Sequence, residues 1–539
     1  MEHCSFSKVV PDEISDCSSE TTSNLPYYGS LDSINQKHRQ LSHLQDLETI
    51  PQGRHLGLFS IIVLFVSRML GSGIFSISSG LYQDCGRSVG IFFLAWFIAA
   101  LFATGGMYMY LEIGSIIPRS GGTKVFLEFI YQKPKLLATV AFLIYSIITG
   151  FTTTNILIFS EYFLISIGLN PSYSQIRAFG LLFLFLVAGI HSFSLKVGIQ
   201  IQNVLGGMKI GLLFIMIFAG VWIIFFPSTV NHIENHLHWN DLLLVRSEVT
   251  AASFASAIIK ALFTLAGWNT VHTVSNEIDD PIKIFKIAGP VSLGLICISY
   301  FMVNVSYLLV IPDKEFAKSG YLSGSILFEK IFGYYIGRKL LTFSIALCAA
   351  GNVFVVLYQI SRNNQEVFRE GYLPLSRFMA SNWPLGAPFR SLLLSVLFTT
   401  IIFIFLPDGD IISYIISYEG YGANIATLLV AIGFFIIRYK YPEIHTPIRG
   451  SKLGTSLVIV VSIYLTISPF TGRISPNPNG LQDWPSYASL STFSIGLCIA
   501  YWFFKFALLP WISNYKLVQV ESTLSDGLVV KSWRKIYGQ

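Results

Sequence analysis

The sequence predicts an all-α polytopic membrane protein, because its composition, its long apolar segments and two interruptions within those segments all indicate helices in a bilayer. Hydrophobic residues make up 53% of the 539 residues and charged residues 12%, with a mean hydropathy of +0.60. A soluble domain carries about 25% charged residues, so this composition excludes an ordinary soluble protein. The net charge of +6 is spread over short loops, which disfavours a nucleic-acid partner.

Twelve apolar segments predict twelve transmembrane helices, since a spanning helix needs about 20 mostly apolar residues. The segments are 57–79, 88–115, 136–165, 176–194, 197–226, 251–275, 285–311, 337–362, 389–406, 411–437, 453–472 and 486–509. The Ser, Thr and Glu-rich residues 1–55 are interpreted as a disordered cytosolic regulatory tail. Residues 56–509 form the predicted transmembrane domain, and residues 510–539 form a cytosolic C-terminal tail.

The positive charges predict which side of the membrane each loop faces. If the N-terminus is cytosolic, most of the 36 Lys and Arg residues fall in cytosolic loops and tails. This asymmetry is the one that orients membrane proteins. An even number of helices then places both chain ends in the cytosol.

The first apolar segment is interrupted by Gly71-Ser72-Gly73, and glycine and serine are poor helix formers. In lipid, unpaired backbone groups are costly, so a broken helix is tolerated only where it lines a cavity. The break would expose N–H groups to a carboxylate and carbonyl groups to an ammonium group. The alternative is a motif of small residues that packs helices together.

A second interruption lies in the sixth segment, around Gly267-Trp268-Asn269. Interrupted helices at corresponding positions in two halves indicate an inverted-repeat transporter with its site at the membrane midplane. The predicted repeats are residues 56–226 and 249–437, followed by two further helices within 453–509. The alternative is an accidental glycine.

The chain shows no sign of enzyme chemistry. Its six cysteines have neither disulfide-framework nor metal-ligand spacing, and no cluster of nucleophiles lies near a membrane face. We therefore expect no catalytic residue, no metal and no organic cofactor.

Several motifs, in order and spacing, resemble the amino acid–polyamine–organocation superfamily and, within it, the fungal methionine permease family. They are residues 68–75, 112–114, 117–122, 198–203 with Lys209, 267–269, 276–277, 280–281, 361–362 and 370–374. Residues 50–54 look most like the low-affinity branch of that family. The resemblance covers about residues 50–520. It implies a leucine-transporter-type 5+5 fold with helices 1 and 6 broken and two extra C-terminal helices, and uptake driven by a proton gradient rather than sodium.

The resemblance also implies a substrate site between the two interruptions. The predicted binding residues are Gly71, Ser72, Gly73, Ile74, Phe263, Leu265, Ala266, Gly267 and Trp268. The backbone N–H groups of residues 72–74 would bind the carboxylate, and the carbonyl groups of residues 265–267 would bind the ammonium group. Phe263 and Trp268 would cap the substrate or line its side-chain pocket, since a thioether packs well against rings. Ordinary aromatic packing is the alternative.

Three ionisable residues are candidates for proton coupling. The resemblance implies that Lys209 stands where sodium sits in sodium-coupled relatives, contacts the first segment, and either carries the proton or acts as a fixed structural cation. Glu112 is expected either to pair with Arg119 or Lys124 or to relay protons. Glu419 would be a buried acid or a residue of the outer vestibule.

Two further cations lie in apolar segments, and the sequence does not assign either of them a role in transport. Lys260 departs from the family pattern and would either snorkel to the surface or face the cavity. Arg68 would bridge helices near the first break.

The resemblance therefore implies a plasma-membrane permease that imports methionine with a proton. The expected partners are the amino acid substrate, the lipid bilayer and a ubiquitin ligase with its adaptor on the cytosolic tail. The alternatives are a permease or exchanger for another neutral amino acid, and a non-transporting amino acid sensor on the same scaffold.

Overall fold

The computed structural model describes residues 58–71, 73–117, 122–226, 235–237, 242–269, 281–382, 386–405, 411–444, 446–471, 485–524 and 529–537. The predicted N-terminal regulatory tail lies outside these described residues, and so does Ser72 of the predicted substrate site.

The described chain is mostly helical, and each of the twelve apolar segments contains at least one helix. The first half holds α1 (Leu58–Met69), α2 (Gly73–Ser76), α3 (Ser78–Asp84), α4 (Val89–Ile116), α5 (Thr123–Ile130), α6 (Leu137–Ile148), α7 (Thr153–Ser166), α8 (Tyr173–Phe193) and α9 (Leu195–Phe225). The second half holds α10 (Ala251–Thr264), α11 (Pro281–Val310), α12 (Asp313–Lys318), α13 (Ser323–Gly333), α14 (Thr342–Arg369), α15 (Ser376–Ala380), α16 (Phe389–Phe405), α17 (Ile411–Lys440), α18 (Lys452–Ile467), α19 (Tyr487–Trp502) and α20 (Leu509–Ile512). Short 3-10 turns at Gly320–Leu322 and Ser468–Phe470 and π turns at Tyr334–Leu341 and Phe503–Leu508 complete the helical elements.

Many of these helices are suited to a membrane. Within the described residues, nine helical stretches are long and apolar enough to cross a bilayer, and α10 and α16 are shorter apolar helices. The broken first segment accounts for the remaining member of the twelve. The chain is thus a polytopic membrane protein in composition and architecture, whereas the crossing number of twelve stays a prediction.

Polar residues mark several helix starts. Ser172 caps α8, because its hydroxyl accepts from the N–H of Gln175 while the Gln175 side chain accepts from the N–H of Ser172 at 2.9 Å. The hydroxyl of Ser451 likewise accepts from the N–H of Gly454 at the start of α18. Such caps satisfy N–H groups that have no partner within the helix.

Both predicted interruptions are confirmed. Helix α1 ends at Met69 and the chain becomes helical again at Gly73. Helix α10 ends at Thr264, and residues 265–267 form a turn. The fourth and fifth segments are joined by a tight turn, since only Ser194 separates α8 from α9.

The third apolar segment is interrupted as well, and here the prediction of one helix over 136–165 is wrong. Helix α6 ends at Ile148, and α7 begins at Thr153. A Cβ atom on Gly150 would lie 3.0 Å from Cγ2 of Ile360, so a neighbouring helix packs closely against this break. The three consecutive threonines that follow Gly150 are β-branched and lower the helix propensity.

The helices surround the three interruptions. Helix α14 packs against α7 and α9, and α1 packs against α11. Helix α10 packs against α3, α4 and α17. The broken ends of α1, α7 and α10 are therefore enclosed by long helices.

The last residues form an antiparallel β-hairpin of β1 (Tyr515–Thr523) and β2 (Val529–Tyr537), with Tyr515 opposite Tyr537. The all-α prediction misses this hairpin. The β-branched residues Val518 and Val520 of β1 and the β-branched and aromatic residues of β2 favour strands. These strand-favouring residues occupy a short segment at the end of the chain, whereas the long apolar segments indicate helices, so the fold class is predicted from the helices alone.

The hairpin is fixed to the helical domain by Glu370, which follows α14. The Glu370 carboxylate accepts from the ammonium groups of Lys124 on α5 and of Lys531 on β2, the latter at 3.3 Å. Burial opposes ionisation of Glu370, but the two lysines outweigh it and hold its pKa below the usual 4.5.

We expect the attachment of the hairpin to weaken when Glu370 is protonated. Because its pKa is lowered in the folded protein, the stabilisation is complete above the usual glutamate pKa and is lost as the pH falls below 4.5 through the folded value. Hydrogen exchange of the β2 amides should show protection at pH 7 that weakens as the pH falls progressively below 4.5. Glu370→Gln should remove the pH dependence and show weak protection throughout this range. Unchanged protection in Glu370→Gln would contradict the role of this carboxylate.

Candidate functional site

A cavity of about 200 Å³ lies between the two predicted interruptions. It is lined by Arg68, Met69, Gly71, Gly73, Phe151, Thr152, Thr154, Asn155, Phe263, Thr264, Ala266, Asn352, Val356 and Glu419. Pockets for drug-sized ligands measure roughly 300–1,000 Å³, so this cavity suits a smaller molecule such as a single amino acid.

The two interruptions press directly against each other. A Cβ atom on Gly73 would lie 3.1 Å from Oγ1 of Thr264, in the second interrupted segment. Gly267 has a φ of +125°, and a Cβ atom there would lie 3.1 Å from Cγ of Met69, in the first. Each interruption therefore needs a glycine where the other approaches, which accounts for both glycines by close packing as well as by helix breaking.

Three buried tyrosines satisfy carbonyl groups around the first interruption. The Tyr300 hydroxyl donates to the carbonyl oxygen of Met69 at 2.8 Å. Tyr307 donates to the carbonyl of Ile74 at 3.1 Å, and Tyr162 donates to that of Phe75 at 2.9 Å. Sequence reasoning missed all three, because a tyrosine within an apolar segment gives no sign of a carbonyl partner far away in the chain.

We expect Tyr300→Phe to lower amino acid uptake by up to about tenfold, since it removes a buried hydrogen bond to the Met69 carbonyl, and such a bond contributes about 0.5–1.5 kcal/mol. Tyr300 lies at 3.4 Å from the carbonyl of Thr264 as well, so its hydroxyl reaches both interruptions. The matched control is Tyr131→Phe, which loses a bond of the same kind to the carbonyl of Leu429 away from the site. Uptake should be normalised to the amount of protein at the cell surface. Equal uptake by the two variants would contradict the positioning role of Tyr300.

Lys209 is buried on α9 and donates a hydrogen bond to Oδ1 of Asn352 on α14. Asn352 lines the cavity, and its amide nitrogen would lie 3.7 Å from a Cβ atom on Gly71. The predicted contact between Lys209 and the first segment thus runs through Asn352. A cation in this position is linked to the cavity by one amide side chain.

Glu419, on α17, is half-buried and is the only acidic residue among those that line the cavity. Within the described part of the chain, it has neither an ion-pair partner nor a hydrogen bond. A carboxyl group placed in this way could meet either a substrate ammonium group or a proton.

Glu112 lies elsewhere, at the end of α4. Its carboxylate accepts from Nε of Arg438 at 2.8 Å and from the N–H of Gly450 at 2.5 Å. The expected pairing with Lys124 is wrong, because Lys124 is engaged by Glu370, and Arg119 lies outside the described residues. Both carboxylate oxygens of Glu112 are bound by the guanidinium group of Arg438, so this ion pair joins α4 to α17. This geometry favours a structural role for Glu112 over a proton relay.

The remaining predicted substrate residues divide into two groups. Gly71, Gly73, Phe263 and Ala266 line the cavity. Ile74, Leu265, Gly267 and Trp268 are buried and are not among its lining residues. The Trp268 ring packs against Tyr110 at 5.3 Å and would lie 2.5 Å from a Cβ atom on Gly106, so it fills a groove on α4.

The third interruption also opens onto the cavity. The hydroxyl groups of Thr152 and Thr154 are buried without hydrogen-bond partners among the described residues, and both threonines line the cavity. The first N–H groups of α7 have no partner within that helix. The run of three threonines after Gly150 is the signal that could have predicted this donor-rich wall.

Lys260 and Arg68 now have defined surroundings. Lys260 is buried and forms an ion pair with Asp84 of α3 at 2.8 Å, so it neither snorkels to the surface nor lines the cavity. Asp84 and Lys260 thereby link α3 to α10, the helices next to the two interruptions. Arg68 lines the cavity at the end of α1.

Two interrupted helices that face each other across a small cavity are the arrangement in which many membrane transporters bind their substrate. The chain belongs to the amino acid permease family, whose pattern matches residues 56–504. The chain is 40% identical to the low-affinity methionine permease of Saccharomyces cerevisiae over 95% of this chain and 93% of that protein.

More distant relatives are also transporters. The high-affinity methionine permease of Saccharomyces cerevisiae is 29% identical over 90% of this chain and 84% of that protein. The Asc-type amino acid transporter 1 of Mus musculus is 26% identical over 78% of each chain. The relatives are permeases and transporters rather than enzymes.

Proposed function

We propose that this protein is a secondary active permease that imports methionine across the plasma membrane by proton symport. The observation that carries the proposal is the cavity between the two interruptions, whose size suits one amino acid. The similarity to two methionine permeases supports methionine as the substrate. The proposed architecture is a leucine-transporter-type 5+5 repeat of twelve helices, with both chain ends cytosolic.

The substrate backbone binds between the broken helix ends. The N–H groups of residues 72–74 bind the carboxylate, since a helix start carries unpaired N–H groups and a partial positive charge. The carbonyl groups of Leu265, Ala266 and Gly267 bind the ammonium group. Ala266 is the member of this set that lines the cavity.

The side chain of the substrate lies against Phe263, Met69 and Val356, which supply the apolar part of the lining. A thioether is polarisable and makes favourable contacts with aromatic rings and other apolar groups. This surface suits methionine, and it also suits other apolar side chains of similar size.

Proton coupling involves Lys209 and Glu419, the two ionisable candidates connected to the cavity. Protonation of either group changes the charge that the substrate meets. Glu112 has the weaker claim, because Arg438 already neutralises it.

The proposal is tested by the uptake of radiolabelled methionine into cells that lack their own methionine permeases. Uptake should be faster at acidic than at neutral external pH, and a protonophore should abolish accumulation. Surface-localised protein without methionine uptake at millimolar concentrations would overturn the assignment. A panel of other amino acids would then separate a permease of different specificity from a non-transporting sensor.

A second candidate is a permease or exchanger for another neutral amino acid. The apolar part of the cavity lining, formed by Phe263, Met69 and Val356, favours it because this surface suits other apolar side chains as well. Loading the cells with unlabelled amino acid distinguishes the two, since an exchanger requires internal substrate whereas a proton symporter does not.

A further inference from the structure

A second cavity, of about 610 Å³, lies where the C-terminal hairpin meets the chain that follows α14, and it shares no lining residue with the first cavity. We call it the hairpin pocket. Its walls are residues 371–378, the last helical segment at Lys505 and Leu509, and the facing side of both strands. We propose that the hairpin pocket binds the phosphate-bearing headgroup of an anionic phospholipid.

The charge of the hairpin pocket suits an anion. Its lining includes Arg377, Lys505 and Lys535, and no acidic residue is among the described residues that line it. The guanidinium group of Arg377 is exposed and makes neither an ion pair nor a hydrogen bond within the described chain. Basic pockets at the ends of membrane helices recognise lipid headgroups in this way.

Lys505 gives the pocket a fixed cation. Its ammonium group donates to the carbonyl of Tyr372 at 2.6 Å and to the hydroxyl of Tyr501 at 3.0 Å. Since neither acceptor carries a negative charge, the positive charge of Lys505 is not neutralised by them. Lys535 is held differently, with its ammonium group 4.7 Å from the centre of the Tyr515 ring.

Exposed apolar side chains on the same wall favour a lipid over a soluble anion. Leu375 and Phe378 line the pocket with 72% and 53% of their surfaces exposed, and Leu509 is exposed beside Lys505. The adjacent Trp511 and Ile512 are exposed too. Apolar and aromatic groups beside cations at a helix end fit the boundary between acyl chains and headgroups.

The walls are held in place before any ligand binds. The Trp533 ring packs against Tyr372 and Phe506, with centroid distances of 5.8 and 5.6 Å. Gly371 has a φ of +77°, and a Cβ atom there would lie 2.2 Å from the carbonyl oxygen of Lys531, so only glycine admits the strand. A rigid pocket loses less entropy on binding than a flexible one.

The test uses the purified full-length protein in detergent, titrated with phosphatidylserine or phosphatidylcholine. Retained lipid is counted by native mass spectrometry, and the unfolding temperature is followed by tryptophan fluorescence. Phosphatidylserine should remain bound and raise the unfolding temperature, whereas phosphatidylcholine should do neither. The double variant R377Q/K535Q should weaken phosphatidylserine binding at least about fivefold, as expected for the loss of two cations beside an anionic headgroup.

The matched control is K516Q/R534Q, which removes the same amount of charge, in this case from the hairpin alone. Lys516 and Arg534 are exposed and alternate with Leu517, Trp533 and Lys535, which line the pocket, so they point to the other face of the strands. Equal losses in the two double variants would overturn the proposal. Binding of soluble glycerophosphoserine as tight as that of phosphatidylserine would overturn the lipid assignment.

A folding defect is recognised separately. Both double variants should unfold at the temperature of the wild-type protein in phosphatidylcholine. If R377Q/K535Q does not, the single variant R377Q replaces it, because Arg377 lies outside the hairpin and has no protein partner to lose among the described residues.

Discussion

Gly73→Val is expected to reduce methionine uptake at least about tenfold without preventing the protein from reaching the cell surface. A Cβ atom at residue 73 would already lie 3.1 Å from Oγ1 and 3.3 Å from Cγ2 of Thr264, and 3.2 Å from Cδ1 of Ile77. The two further methyl groups of valine would overlap the second interrupted segment. Overpacking of this kind costs about 1–3 kcal/mol, and here it acts on the wall of the cavity.

The control for this substitution is Gly207→Val, on α9. Gly207 is exposed within a helix, and a Cβ atom there would meet nothing within 4 Å. Both variants introduce valine for glycine in an apolar segment, so only the local packing differs. Uptake per surface molecule should be close to wild type in Gly207→Val. Wild-type uptake by Gly73→Val would show that the two interruptions do not form the transport site.

A smaller side chain should give a graded effect. Gly73→Ala adds only the Cβ atom, and its closest contact of 3.1 Å requires a shift of a few tenths of an ångström. We therefore expect uptake between those of the wild type and of Gly73→Val. A graded loss would indicate that the separation of the interruptions, rather than backbone flexibility at Gly73, controls transport.

The sequence predicted the interruptions because glycine beside small polar residues is a local signal. Gly71 to Gly73 and Gly267 stand out against long apolar runs, and the structure breaks the helices at both places. The third interruption carries a similar signal, since Gly150 precedes three threonines. It was missed because the surrounding residues are apolar enough to predict one continuous helix.

Partners of charged and aromatic groups could not be predicted, because they depend on contacts between distant segments. Glu112 pairs with Arg438, 326 positions later, although closer cations were available along the chain. Lys260 pairs with Asp84, 176 positions earlier. Trp268 follows the second interruption directly, yet its ring packs against α4 because Gly106 leaves a groove there.

Side-chain contacts join the two interrupted segments. They are the hydrogen bonds of Tyr300 and the ion pair between Lys260 and Asp84. Helices α3 and α10 are joined by that buried ion pair, and Tyr300 bonds to carbonyl groups of both interrupted segments. These contacts connect the two interrupted segments to each other. Discontinuous helices that move together would open and close access to the cavity as a unit.

Lys209→Met is expected to uncouple methionine transport from the proton gradient. Methionine keeps most of the apolar stem of lysine but removes the buried ammonium group, and it leaves Oδ1 of Asn352 without its donor. Removal of a buried charge has a large effect on neighbouring polar groups, because electrostatic interactions are stronger in the low dielectric of the protein interior than in water. Asn352 lines the cavity next to Gly71, so we expect the loss of the Lys209 charge to affect the cavity through Asn352.

The measurement uses proteoliposomes that contain the purified protein. Wild-type protein should accumulate methionine when an inward proton gradient is imposed, whereas Lys209→Met should only exchange external for internal methionine. Lys452→Met is the matched control, since Lys452 is exposed at the start of α18 and should leave accumulation unchanged. Accumulation by Lys209→Met at the wild-type level would exclude Lys209 as the coupling group. Loss of accumulation in Glu419→Gln instead would assign the proton to the only acidic residue that lines the cavity.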